Sequence, residues 1–123
     1  LILADSSIWI DHFRSQDEVL SSLLEHEQVL AHPFVIGEIA LGNLRQRPVV
    51  LKALHKLPEA IVARDREVLA LIENSALSGL GIGYVDAHLL ASVKLTDDAR
   101  LWTRDRRLAA AAARLELAAA LSN

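Results

Sequence analysis

Short apolar runs alternate with longer stretches of helical periodicity along this chain, and the two patterns predict strands and helices in turn. Leu1–Ala4 is a continuous apolar run of strand length. Ser6 or Ser7 can cap a helix running to about Arg14, with Ile8, Trp9 and Phe13 on its apolar side. Asp17–Glu27 predicts a second helix, carried by Val19, Leu20, Leu23 and Leu24. Val29–His32 predicts a strand ended by Pro33, Phe34–Leu44 a helix, and Pro48–Leu57 a helix begun by its proline. Ala60–Ala63 predicts a third strand, Arg66–Ser75 a helix, and the glycines at 79, 81 and 83 a loop. Tyr84–Leu95 predicts a helix, Leu101–Thr103 a strand and Asp105–Leu115 the final helix, with Leu115–Ala118 a short last strand.

This alternation predicts an α/β fold in three layers, α/β/α, with helices on both faces of a central parallel sheet of four or five strands. One domain over residues 1–123 is expected. Ligands of such sheets bind outside the carboxyl ends of the strands, and that rule sorts the acids. Asp5 and Asp105 end predicted strands, Glu38 lies in the helix after the second strand, and Asp86 opens the apolar pattern Ala87–Leu95. These four can converge on one edge. Asp97 and Asp98 precede a strand and belong to the opposite edge.

Composition narrows the chemistry. The chain has 123 residues, 52% hydrophobic and 24% charged, as expected of a globular domain with a real core, and only 4% aromatic, so aliphatic side chains must fill that core. It has no cysteine, which excludes disulfides and thiolate metal sites and fits a reducing, cytoplasmic setting. No apolar run is long enough to span a bilayer. The first residues reach Asp5 without a basic leader, unlike a secretory signal. The formal net charge of −3 argues against a constitutively basic nucleic-acid binder, but it conceals local bias. Arg100, Arg104, Arg106, Arg107 and Arg114 surround Asp105, and Arg45, Arg47, Lys52 and Lys56 form a second basic stretch. An acidic pocket with basic flanks is expected.

Carboxylates gathered in an apolar setting repel one another, and a divalent cation removes the conflict. Mg²⁺ or Mn²⁺ suits an all-oxygen donor set, lowers the pKa of an attacking water and offsets charge on a phosphodiester. Ser6 and Thr103 offer hydroxyls that can orient a carboxylate or contact phosphate, and Arg104, Arg106 and Arg107 are candidate phosphate-backbone contacts. Each residue also has a plainer role available. Asp5, Asp86 and Asp105 can be helix caps, and the arginines a solvated face. Glu38, beside Val35, Ile36, Ile39 and Ala40, is the hardest to explain that way. The five histidines lack the tight spacing of a metal motif, and Trp9 and Trp102 read as core. The glycines at 79, 81 and 83 do not follow a strand in the dinucleotide-binding manner, and there is no phosphate-binding P-loop motif.

The segments ILADSSIWID, GEIALGNL, YVDAHLLASVKL and LWTRDRRL, which carry Asp5, Glu38, Asp86 and Asp105, together resemble the PIN-domain family. Within that family the chain looks most like VapC-type toxins of bacterial toxin–antitoxin pairs. The resemblance covers nearly the whole chain. It implies an α/β/α domain with Mg²⁺- or Mn²⁺-dependent endoribonuclease activity. The four family acids fall on Asp5, Glu38, Asp86 and Asp105, and its small hydroxyl positions on Ser6 and Thr103. It also implies a homodimer and neutralisation by a VapB-type antitoxin whose tail enters the acidic groove. A further acid found in some members has no counterpart, because Arg106, Arg107, Leu108 and Ala109 follow Asp105. Hydrolysis of RNA by metal-activated water is therefore the leading expectation. The alternatives are a non-catalytic interaction module of the same fold and a phosphatase with Asp5 as nucleophile. The latter lacks the second acid two residues on, since Ser6 and Ser7 follow Asp5.

Overall fold

In the computed structural model, which describes residues 1–121, Ile2–Ala4 (β1), Val29–Leu30 (β2) and Arg100–Trp102 (β3) form a parallel sheet in the order β2-β1-β3. Leu3 is paired with Leu30 on one side and Leu101 on the other. Single bridges, Ala31 to Glu59 and Leu101 to Ala118, extend the sheet at its two edges. The strand expected over 60–63 is absent, its place taken by one bridge at Glu59 just before it, and the strand expected over 115–118 is a bridge at Ala118 alone. The first fails to grow because side chains take its backbone donors: Ile61 N–H goes to Thr96 Oγ1 and Ala63 N–H to Ser92 Oγ. Positions 122 and 123 of the expected domain span lie outside the described residues.

Among the described residues, seven helices connect these segments: Ser6–Arg14 (α1), Glu18–Glu25 (α2), Pro33–Ala40 (α3), Arg47–His55 (α4), Asp65–Asn74 (α5), Tyr84–Leu95 (α6) and Arg106–Arg114 (α7). Helix α3 stops short of the expected Leu44. The Arg47 guanidinium takes the carbonyls of Ala40 and Gly42, which closes that end.

The order of connections decides where a ligand can sit. From β1 the chain steps through α1 and α2 to β2, then through α3 and α4 to the Glu59 bridge. It then crosses to β3 and steps through α7 to the Ala118 bridge, in the opposite direction. Right-handed crossovers consequently put α1–α4 on one face and α5–α7 on the other. The reversal falls between β1 and β3, so the ligand crevice opens at their carboxyl ends. Asp5 and Thr103 are the residues that leave those ends. Asp98, by contrast, gives its carbonyl to the Leu1 ammonium at the other edge.

Helix α6 is the core helix of its layer. Ala87 through Val93 are all buried, whereas an ordinary surface helix buries one stripe. It packs on α5 and β3. Leu3, Ile8, Leu90 and Leu101 belong to one apolar cluster with it, joined by Trp9 and Trp102. Both tryptophans are core residues, as expected.

Candidate active site

Asp5 is the N-cap of α1, directly after β1, and is 6% exposed. Its Oδ1 accepts from the Ser7 N–H at 3.0 Å and from the Ser7 hydroxyl at 2.5 Å, while Oδ2 accepts from Thr103 Oγ1 at 2.5 Å. The hydroxyl beside Asp5 that sequence reading placed at Ser6 is Ser7. Thr103 Oγ1 also accepts the Asp105 N–H at 3.0 Å, and Asp105 Oδ1 caps α7 by accepting from the Arg107 and Leu108 amides. The β1 and β3 ends are therefore stitched together through Thr103. Asp86 lies one turn into α6, where its carboxylate accepts the Gly83 N–H at 3.2 Å. The cap roles open to these three acids are real, and each helix end is satisfied by them.

Capping leaves Glu38 unexplained. It lies on a helix interior of α3, at an exposed position. Its pKa is raised chiefly by loss of hydration; the Ser6 hydroxyl, which favours the ionised form, offsets part of this, and the charges of Asp86 and Asp5 add to the rise. The Asp86 carboxyl is also raised by burial, against the opposing Gly83 amide, and then by the charges of Asp105 and Asp5. The four carboxylates come from four elements; after loss of hydration, the charges of Asp86 and Asp5 act on Glu38, and those of Asp105 and Asp5 act on Asp86.

Cations stand nearby, yet among the described residues no basic side chain forms an ion pair with any of the four. Arg104 is engaged elsewhere, with Nε 2.6 Å from Asp11 and Nη2 2.8 Å from Asp17. Its guanidinium, expected as a phosphate contact, is held here by these two carboxylates. Arg106 and Arg107 are exposed. The Arg107 side chain crosses the loop before α6 over Gly81, whose φ is +77° and where a Cβ would lie 2.7 Å from Nη1. Glycine at 81 is thus favoured by its left-handed backbone.

The donor set suits Mg²⁺ or Mn²⁺, being all carboxylate and hydroxyl oxygen and short of compensating charge. Among the described residues no three acidic or histidine side chains stand close enough together to grip one ion directly. Mg²⁺ would need only one or two of these carboxylates directly, since it keeps several waters. Asp5, with both oxygens hydrogen-bonded and the side chain buried, is poorly disposed for in-line attack as a phosphatase nucleophile.

A second polar cluster lies outside this group. His88 is buried and shares Asp65 Oδ1 with the Tyr84 hydroxyl, both at 2.9 Å. His32 is fully buried; its Nδ1 accepts the Phe34 N–H and caps α3, which leaves Nε2–H to donate to Ser92 Oγ at 2.9 Å. Sequence spacing held no signal for either, since their partners lie at long range.

The fold and the four-acid edge define a class. The chain belongs to the PIN-domain family: the model of the PIN domain matches residues 2–114. At the level of individual relatives, it is 50% identical over 113 residues to Ribonuclease VapC32 from two strains of Mycobacterium tuberculosis, an alignment covering 92% of this chain and 91% of each relative.

Proposed function

We propose that this chain is the toxin ribonuclease of a VapBC-type pair and cuts RNA internally at the edge where β1 and β3 end. The joining of Asp5 and Asp105 through Thr103 at the topological switch point, with Asp86 and Glu38 near enough for charge to act between them, carries this reading, and the family and the VapC relatives support it. Mg²⁺ or Mn²⁺, when bound, would acidify a water molecule and offset charge building on the phosphodiester.

The chain's own residues supply the rest. Asp5 is a preorganised ligand, its orientation fixed by Ser7 and Thr103 so that it need not reorganise during the reaction. Asp86 and Asp105 complete the carboxylate edge. Glu38, whose proton affinity is raised, is placed to orient the attacking water or take its proton. Ser6 supports Glu38, and Thr103 supports both Asp5 and Asp105. Arg106 and Arg107 contact the phosphate backbone beside the cut.

A groove of about 740 Å³ is lined by Glu38, Ile10, Phe13, Ile39, Leu44 and Val50, together with Arg14 and Arg45. It suits an apolar segment of a VapB-type antitoxin whose tail reaches the acidic edge at Glu38. A homodimer and a cytoplasmic location complete the proposal. No helix among the described residues is long and apolar enough to cross a membrane.

The test is incubation of the purified protein with total RNA, with and without Mg²⁺ and with chelator, followed by mapping of the new ends. The reading requires discrete internal cuts that depend on the metal and disappear in Asp5→Asn. Cleavage surviving both chelator and that substitution refutes it.

A further inference from the structure

Arg104 stands between two residues of the site, Thr103 and Asp105, yet its side chain turns away from both. Its Nε donates to Asp11 Oδ2 on α1 at 2.6 Å, and its Nη2 donates to Asp17 Oδ2 at 2.8 Å. Asp17 in turn caps α2, through Oδ1 accepting the Leu20 N–H at 2.9 Å. The guanidinium carbon lies 5.8 Å from the centre of the Trp102 ring, which is core. The Arg104 backbone is committed as well: its N–H donates to Ser7 Oγ at 3.0 Å, and that same hydroxyl donates to Asp5 Oδ1. One residue thereby ties the β3–α7 turn to the start of α1, to the middle of α1 and to the cap of α2.

We infer that Arg104 is a positioning residue of the nuclease site, a latch that holds Thr103 and Asp105 in register with Asp5, and not a contact to RNA. The inference rests on the nuclease reading above. Two carboxylates already neutralise the guanidinium, so it offers little attraction to a phosphate. Only an arginine fits the role. Its planar fork reaches two separate carboxylates through two nitrogens, whereas a lysine ammonium is a single point charge. If the latch opens, the Thr103 hydroxyl and the Asp105 cap can shift against Asp5. Displacements on the 1 Å scale in such a site cost roughly a hundredfold in rate.

The test is steady-state cleavage of a defined RNA by Arg104→Gln and Arg104→Lys, each measured over a series of salt concentrations. Asp11→Asn, Asp17→Asn and the combination of Arg104→Gln with Asp11→Asn are measured alongside. The latch predicts a kcat loss of roughly 10- to 100-fold for both arginine variants, with KM and its salt dependence unchanged. Asp11→Asn and Asp17→Asn should lower kcat in the same way, and the combined variant should lose no more than Arg104→Gln alone. Amide exchange at Arg104 and Asp105 should accelerate. A raised KM with a flattened salt dependence in Arg104→Gln makes Arg104 an RNA contact and overturns the inference. So does unchanged kcat in variants that merely melt earlier. Asp11 is a surface residue, so Asp11→Asn keeps the test open if Arg104→Gln does not fold, and full kcat there equally overturns the latch. Wild-type protein that leaves RNA intact instead sinks the nuclease reading itself.

Discussion

Two acidic clusters flank the turn after β3, and they treat their charge in opposite ways. Asp11 and Asp17 share Arg104 at 2.6 and 2.8 Å, and the Asp17 carboxyl is held below its ordinary range, first by the Leu20 amide and then by Arg104. Asp5, Glu38, Asp86 and Asp105 have no such partner among the described residues, and Glu38 and Asp86 are pushed above theirs. Arginines are equally at hand in sequence for both. The same short segment thus neutralises one cluster and leaves the other negative. Such a negative cluster is what the proposed cation site would need.

The largest expected effect separates the clusters by activity. Asp5→Asn should reduce RNA cleavage by roughly a thousandfold or more, on the scale of losing a preorganised electrostatic group. An asparagine still caps α1, so melting temperature should stay within a few degrees of wild type. Side-by-side melting curves and cleavage rates check this, and a rate loss explained by unfolding would dissolve the distinction.

A second expectation concerns a polar group kept neutral. Burial, and then the charge of His88, lowers the His32 pKa from 6.5 to about 4. The unfolded chain therefore takes up this proton at higher pH than the folded chain. The stability contributed by neutral His32 is complete above about pH 6.5 and is lost as pH falls through about 4, a total of roughly 3 kcal/mol. Urea unfolding from pH 7 to 4 should show this decline. His32→Asn, which can still cap α3, should flatten it. An identical slope in the variant would assign the acid sensitivity to other groups.

The smallest effect is the most specific to the contrast. Glu38 has a raised folded-state pKa, so its ionised form weakens the fold at neutral pH. Glu38→Gln should raise the melting temperature there by up to about 3 °C, with the gain fading as pH falls through the raised value. Asp17 has a lowered pKa, so its contribution is present at neutral pH and lost in acid. Asp17→Asn should lower the melting temperature at pH 7, with the deficit closing as pH falls. Shifts of equal sign in the two variants would break the comparison.

Much of the site is legible in the chain because strand ends and helix starts are local signals. Asp5 and Asp105 follow apolar runs, and α6 runs from Tyr84 to Leu95 as its pattern predicts. What escaped is long-range. Arg104 finds its partners 93 and 87 residues away, and no periodicity encodes that choice. Either serine after Asp5 could have been its partner, and helix geometry selects Ser7. The expected third strand failed for a similar reason, since the distant Ser92 and Thr96 claimed its amides.

The central claim is that four carboxylates are left without a counter-charge in order to receive a divalent ion. Titration of the purified protein with Mn²⁺ by calorimetry tests it most directly. Wild type and Asp97→Asn, an exposed acid outside the four, should bind the ion with similar affinity, and Asp5→Asn and Asp86→Asn should bind it far more weakly or not at all. No binding to wild type, or equal binding by Asp5→Asn and Asp86→Asn, would contradict the account.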